Sequence, residues 1–138
     1  MRKNIILLIL MCVAIIPMAA ENVVYLTTEQ FKERVFDYTK DKEWKYKGSK
    51  PCVIDFYTTW CGPCKRLAPI METLSQKYCD QVIFYKVDTE KERELAYVVQ
   101  INSIPQVLYI PVEGQPLLLK GLYPQENIEE IINTHLCK

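Results

Sequence analysis

The chain has 138 residues, a length that suits one domain rather than two. Forty-nine percent of its residues are hydrophobic, enough to build a core, so the composition excludes an intrinsically disordered protein. The 17 basic and 17 acidic residues give a formal net charge of zero, which argues against nucleic acid as a partner, and the single histidine argues against a His-rich metal site.

The first 20 residues have the three-part pattern of a secretory signal peptide. Arg2 and Lys3 precede an uninterrupted apolar run over residues 5–16, and two alanines end the segment. The run is shorter than the roughly 20 apolar residues that a membrane-spanning helix needs. We therefore predict a signal peptide over residues 1–20 and a periplasmic or secreted protein. An uncleaved N-terminal membrane anchor is the alternative.

Removal of the signal peptide would also remove Cys12. A lipid anchor on Cys12 is a further alternative, against which the bulky Met11 argues. The mature protein would lie in a compartment where disulfides persist. It would keep five cysteines, at Cys52, Cys61, Cys64, Cys79 and Cys137.

Residues 21–138 alternate between strand and helix patterns. A capping box at Thr27 and Gln30 begins a helix that we extend to about residue 38. Helical spacing of apolar residues predicts further helices over residues 61–79, 91–100 (with Leu95, Val98 and Val99 buried) and 125–135. Short apolar runs predict strands over residues 23–26, 52–57, 82–87, 106–110 and 117–119. This alternation predicts one α/β domain around a mixed sheet.

The residues that carry chemistry are concentrated at positions 60–65, which read Trp-Cys-Gly-Pro-Cys-Lys. Two cysteines with this spacing, at a junction of strand and helix, can close a small reversible disulfide. Cys61 would lie at the helix N-terminus, where free N–H groups and the helix dipole stabilise a thiolate. We therefore predict that Cys61 is the attacking sulfur and that Cys64, one turn later, resolves the mixed disulfide.

Half of a structural zinc site is the alternative for Cys61 and Cys64. Such a site needs two more ligands, usually from a second close pair. Cys52, Cys79 and Cys137 form no such pair. The sequence therefore predicts neither a metal ion nor another cofactor.

Asp55 interrupts an otherwise apolar strand. Its neighbours Val53, Ile54, Phe56 and Tyr57 are apolar, so we expect its carboxyl group to be buried and its pKa to be raised. A buried acid beneath a dithiol can move a proton for the second cysteine. The alternative is a carboxylate in water at the end of the strand.

Residues 23–136 resemble the thioredoxin family. The resemblance is carried by Asp55-Phe56-Tyr57, Trp60-Cys61-Gly62-Pro63-Cys64-Lys65, Ala68-Pro69, Ser103-Ile104-Pro105 and Gly121. It implies the thioredoxin fold, an α/β architecture with a central mixed sheet flanked by helices on both faces. It also implies dithiol–disulfide exchange on protein substrates.

The resemblance also implies roles for individual residues. Asp55 matches the family's buried acid, which would deprotonate Cys64. Pro105 matches the family's cis proline, packed against the active disulfide, and the backbone of Ile104 would pair with an extended substrate. The residues that the resemblance implies for substrate binding are Trp60, Gly62, Pro63, Ile104 and Pro105.

Two further features have open interpretations. Lys86 falls where some thioredoxins carry a lysine near the buried acid, but a solvated lysine on an edge strand fits equally well. Residues 39–50 form a Lys-rich loop that looks like an insertion into a compact thioredoxin. We expect a solvated extension of the first helix, with a partner-docking surface as the alternative.

Gly62 and Pro63 between the cysteines resemble the reducing members of the family, since oxidases and isomerases of this fold usually carry a histidine there. We therefore predict a monomeric protein-disulfide reductase whose partners are disulfide-containing proteins. In an oxidising compartment it would need a membrane-bound electron donor. The alternatives are a disulfide oxidase or isomerase, and a non-catalytic adaptor.

The remaining cysteines allow one further disulfide. Nine strand residues from Cys52 span roughly 30 Å, and the helix that ends near Cys79 spans roughly 28 Å, so the two thiols would finish at the same level. A Cys52–Cys79 bridge and a plain core role for Cys52 both remain open, with Cys137 as a free thiol. We expect His135 to be a solvated residue of the C-terminal tail.

Overall fold

The computed structural model of the protein describes residues 22–138. The signal peptide predicted over residues 1–20, and Cys12 with it, lies outside the described residues. Within residues 22–138, no helix has both the length and the apolar character needed to cross a membrane.

The described residues form a five-stranded mixed sheet in the order β1-β3-β2-β4-β5. β3 pairs in parallel with both β1 and β2, whereas β4 runs antiparallel to β2 and to β5. The strands are β1 Val23–Tyr25, β2 Cys52–Tyr57, β3 Ile83–Asp88, β4 Gln106–Ile110 and β5 Leu117–Lys120. The predicted mixed sheet is confirmed.

Helices cover both faces of the sheet, which confirms the predicted α/β architecture. Side chains of α2 and α4 pack on one face, and side chains of α1 and α3 pack on the other. The helices are α1 Thr28–Arg34, α2 Gly62–Lys77, α3 Arg93–Val98 and α4 Gln125–Ile131.

The first helix is shorter than the sequence predicts. Its capping box is present, because Gln30 N donates to Thr27 Oγ1 (3.2 Å) and Thr27 N donates to Gln30 Oε1 (3.0 Å). The helix nevertheless ends at Arg34 rather than near residue 38. Asp37 Oδ1 accepts from the backbone N (3.1 Å) and the hydroxyl (2.6 Å) of Thr39. This local bond holds a turn that competes with the helix.

The third helix is also shorter than predicted, and the predicted burial of Val98 is wrong. Leu95 is buried, but Val98 is exposed to solvent and Val99 is only partly buried. After the helix, Gln100 adopts a left-handed φ of 63°. A helix with under two turns can direct only one of these side chains fully into the core.

The end of the chain departs from the predicted helix over residues 125–135. After α4 the backbone forms a π-helical turn, Ile132–Leu136, in which Cys137 N donates to Ile132 O (3.0 Å). His135 in this turn is half-buried with its Nε2 enclosed. The prediction of a solvated histidine is therefore wrong, because the turn keeps His135 beside the buried Leu136.

The alternation of side chains along β2 determines which face of the sheet Cys52 lies on. Val53 points into the core layer under α2, so its neighbour Cys52 points to the opposite layer, where it is fully buried. Cys79 is exposed just beyond the end of α2, which lies on the other side of the sheet. The Cys52–Cys79 bridge is therefore wrong, and both residues are free thiols, as is Cys137.

The Lys-rich segment over residues 39–50 is less solvated than the sequence predicts. Its lysines are exposed, but Trp44 and Tyr46 pack against the core layer that contains α1. The Trp44 ring lies 4.9 Å from the ring of Phe36, and Lys47 N donates to Val35 O (3.0 Å). The segment thus covers the end of that layer. Its origin as an insertion stays a prediction.

Candidate active site

The two cysteines of the dithiol motif lie where β2 passes into α2. Cys61 is the N-cap residue of α2, and Cys64 lies in its first turn. Both side chains are buried, their Cα atoms are 5.2 Å apart, and the two sulfurs form a disulfide. The predicted pairing of Cys61 with Cys64 is confirmed.

The N-terminus of α2 provides the electrostatic environment of Cys61. Cys64 N donates a hydrogen bond to Cys61 Sγ (3.2 Å), so a free backbone donor of the first turn is directed at the sulfur. Pro63 occupies a first-turn position where a missing N–H costs nothing. The 16-residue helix adds the positive end of its dipole. These donors stabilise negative charge on Cys61 once the disulfide is reduced.

Pro105 lies at the same edge of the sheet as the dithiol. β2 and β4 pair with Phe56 opposite Gln106, so Pro105 stands beside the end of β2 that leads to Cys61. The peptide bond between Ile104 and Pro105 is cis, which agrees with the family's pattern. Pro105 is buried, whereas Ile104 is half-exposed.

Gln106 organises the loop before Pro105, and sequence reasoning missed it. The side chain is fully buried, and its Oε1 accepts from Asn102 N (2.9 Å) and Ser103 N (3.2 Å). Pro105 O accepts from Gly121 N (2.9 Å), which fastens the loop to β5. The available signal was an uncharged polar residue at the start of an apolar strand.

The outer rim of the dithiol is formed by Trp60, Gly62 and Pro63, all of which are exposed. Trp60 is 66% exposed, and its Nε1 donates to Glu90 Oε1 (2.8 Å). Sequence reasoning missed Glu90, because a contact over 30 residues leaves no local signal. A large exposed ring held by one bond is suited to contact with another protein.

Asp55 is buried, as the sequence predicts, and it lies on the sheet face that α2 covers. Only 4% of the residue is exposed, and burial raises the pKa of its carboxyl group from 3.8 to about 7, against a lowering influence of Lys86. Among the described residues, no group hydrogen bonds to Asp55 Oδ1. Asp55, Glu72 and Lys86 line a cavity of about 260 Å³. Asp55 can therefore exchange a proton near neutral pH.

Lys86 is the register partner of Asp55 on β3. β3 is an interior strand between β1 and β2. The alternative interpretation of Lys86, as a solvated lysine on an edge strand, is therefore wrong. Lys86 Nζ lies 4.3 Å from the centre of the Tyr25 ring. The lysine lines the same cavity as the buried acid.

Comparison with known proteins agrees with this geometry. A family model described as thioredoxin matches residues 22–134. The chain belongs to the thioredoxin family. A thioredoxin from Borreliella burgdorferi is 49% identical over 107 residues, which cover 78% of this chain and 92% of that protein.

More distant thioredoxins agree as well. A thioredoxin from Staphylococcus aureus is 35% identical over 85 residues, or 61% of this chain and 81% of that protein. The crystal structure of chloroplastic thioredoxin z matches with a TM-score of 0.68 at 25% identity, covering 81% of this chain and 92% of that one. These matches confirm the predicted thioredoxin fold.

Family membership and the Cys61–Cys64 disulfide together establish the chemistry. This thioredoxin is a thiol–disulfide oxidoreductase, and thioredoxins act on disulfide-containing substrates. Within residues 22–138, no three His, Cys, Asp or Glu side chains are grouped as a metal site would require.

Proposed function

We propose that this thioredoxin reduces disulfide bonds of proteins outside the cytoplasm. The observation that carries the proposal is the Gly62-Pro63 pair between the cysteines. Neither residue places a cation beside Cys61, and the one histidine of the chain is His135, in the π-helical turn that ends the fold. A thiolate without an added cation is less strongly stabilised, so the disulfide is the more stable state and the dithiol is a reductant.

The reaction we propose has two exchange steps. The Cys61 thiolate attacks one sulfur of the substrate disulfide, forms a mixed disulfide and releases the other substrate sulfur as a thiolate. Asp55 then accepts the proton of Cys64, and the Cys64 thiolate attacks Cys61 Sγ. The Cys61–Cys64 disulfide forms, the second substrate sulfur leaves, and two electrons have passed to the substrate.

The substrate would bind as an extended segment across the edge of the sheet. Ile104 presents its backbone just before the cis peptide bond, and a strand-like segment can pair with such a backbone. The exposed faces of Trp60, Gly62 and Pro63 would contact the residues around the substrate disulfide. This arrangement supports proteins, rather than small disulfides, as substrates.

The proposed location rests on residues 1–20. These residues have the basic start, apolar run and small residues of a secretory signal. In an oxidising compartment the dithiol must be regenerated, so we propose a membrane-bound thiol electron donor. We also propose that the protein is a monomer.

The signal peptide is tested on protein purified from the native cells. We expect N-terminal sequencing to find a start near residue 21, in the fraction released from the cell envelope. An intact N-terminus in the cytoplasmic fraction would contradict both the leader and the location.

The direction of exchange is tested by acid quenching of living cells, followed by alkylation of free thiols. We expect most molecules to carry Cys61 and Cys64 as a dithiol, because the electron donor of a reductase keeps its two cysteines reduced. A disulfide in nearly all molecules would favour the oxidase instead. In the same cells, Cys64→Ser should collect mixed disulfides with proteins, and their absence would favour the adaptor.

A further inference from the structure

Tyr109 is a buried tyrosine in the same core layer as Asp55. It lies on β4, is fully buried, and its hydroxyl group has no hydrogen-bond partner among residues 22–138. β2 and β4 pair with Val53 opposite Tyr109 and Asp55 opposite Val107. Tyr109 and Asp55 are therefore diagonal neighbours on one face of an antiparallel pair, a separation that an aromatic side chain can reach across.

The two residues have complementary needs. Within residues 22–138, Asp55 Oδ1 is an enclosed acceptor without a donor, and the Tyr109 hydroxyl is an enclosed donor without an acceptor. Buried polar groups in native proteins nearly always find a partner, since leaving one unpaired costs free energy. Both atoms are closed off from bulk solvent. The register places the two residues on the same face of adjacent strands, where each can supply what the other lacks.

Electrostatics keep Tyr109 in its donor form. Burial and the neighbouring Asp55 carboxylate both raise the pKa of the Tyr109 hydroxyl, so it stays protonated across the physiological range. The other ionisable groups around Asp55 are Lys86 on β3, Glu72 on α2 and Tyr57 on β2 itself. Lys86 and Glu72 line a cavity that Asp55 also lines, whereas Asp55 Oδ1 itself is enclosed.

We propose that Tyr109 is a positioning residue, whose hydroxyl group donates a hydrogen bond to the Asp55 carboxylate when that carboxylate is ionised. The bond would stabilise the ionised acid and hold it in place to take the proton of Cys64. The inference rests on the proposed role of Asp55 as the base for Cys64. Tyr109 touches neither the substrate nor the sulfurs, so it acts through Asp55 alone.

The test measures the attack of Cys64 directly. Protein with Cys61 joined to a nitrothiobenzoate group, and Cys64 reduced, releases a coloured thiolate as the Cys61–Cys64 disulfide closes. In the unchanged protein we expect the rate to rise with pH through an inflection near 7, as Asp55 ionises. In Tyr109→Phe the inflection should move up by about one pH unit, the size of one lost hydrogen bond to a carboxylate.

The expected decrease in the rate of thiolate release in Tyr109→Phe depends on pH. Below the inflection, Tyr109→Phe should release the thiolate about tenfold more slowly, since one pKa unit is a factor of ten, and the two rates should converge above pH 9. Tyr85→Phe is the matched control, because Tyr85 is a buried tyrosine that faces the opposite core layer from β3, the strand on the other side of β2. Its profile should match that of the unchanged protein.

The outcomes separate this inference from the proposed function. An inflection that persists in Asp55→Asn would overturn the role of Asp55, and Tyr109 with it. An inflection that Asp55→Asn removes but Tyr109→Phe leaves in place would overturn only the role of Tyr109. In the Asp55→Asn background, Tyr109→Phe should change the rate by less than twofold. If the Tyr109 hydroxyl makes no hydrogen bond, Tyr109→Phe should instead be at least as stable as the unchanged protein at every pH. Thermal unfolding measures this difference in stability.

Discussion

Cys61→Ser should lose at least about a thousandfold of the disulfide reductase activity, because no other group can take the place of the attacking sulfur. The measurement is the reduction of a disulfide-bonded test protein such as insulin, with dithiothreitol as the electron source. Cys64→Ser should also fail to turn over, but for a different reason. It should form the mixed disulfide and then stop, which intact-mass analysis detects as protein plus substrate.

The matched control is Cys79→Ser, because Cys79 is an exposed thiol of the same domain that lies beyond the far end of α2. We expect it to leave the turnover rate unchanged. In the reduced protein at neutral pH, iodoacetamide should modify Cys61 first. Faster modification of Cys64, or a mixed disulfide trapped in Cys61→Ser rather than in Cys64→Ser, would reverse the assignment of the two cysteines.

Asp55→Asn should make the protein more stable at neutral and alkaline pH, while slowing its turnover. Burial raises the pKa of the Asp55 carboxyl group from 3.8 to about 7. One pKa unit corresponds to about 1.4 kcal/mol, so ionised Asp55 costs the native state up to about 4 kcal/mol. The asparagine amide carries no charge but is still buried, so we expect a gain of about 2 to 4 kcal/mol at pH 8.

The pH dependence of this gain has a definite sign. The folded protein binds the Asp55 proton more tightly than the unfolded chain does, so the native stability of the unchanged protein falls as the pH rises from about 4 to about 7. Asp55→Asn should lack this fall. The two proteins should therefore differ little at pH 4 and most above pH 7, which urea unfolding at several pH values measures.

Asp88→Asn is the matched control for Asp55→Asn. Asp88 is just as buried, at 5% exposed, but its Oδ1 accepts from the backbone N of Glu90 (3.0 Å) and of Lys91 (3.4 Å). An acid with these donors is stabilised in place, so its replacement should give no gain at pH 8. A loss of stability in Asp55→Asn with unchanged turnover would refute the role of Asp55.

Local sequence determined the chemical motif and the order of the elements. The Cys61-Gly62-Pro63-Cys64 spacing encodes a disulfide within one helical turn. The backbone of a helix fixes the distance between one residue and the third residue after it. The strand and helix patterns likewise depend on near neighbours, and every predicted element was found. The ends of some elements differ from the prediction. α1 stops four residues early, since the Asp37 side chain competes for the backbone beyond Arg34.

Contacts between distant segments determined the rest. Strand alternation alone says that Cys52 and Asp55 face opposite ways, but only the packing of α2 decides which of them lies beneath that helix. The pairing of β2 with β4 brings Tyr109 into the layer of Asp55, across more than 50 residues of chain. Gln106 and Glu90 acquire their roles in the same way. Sequence periods encode which residues share a face, whereas the partner across that face depends on register and packing, which no local pattern carries.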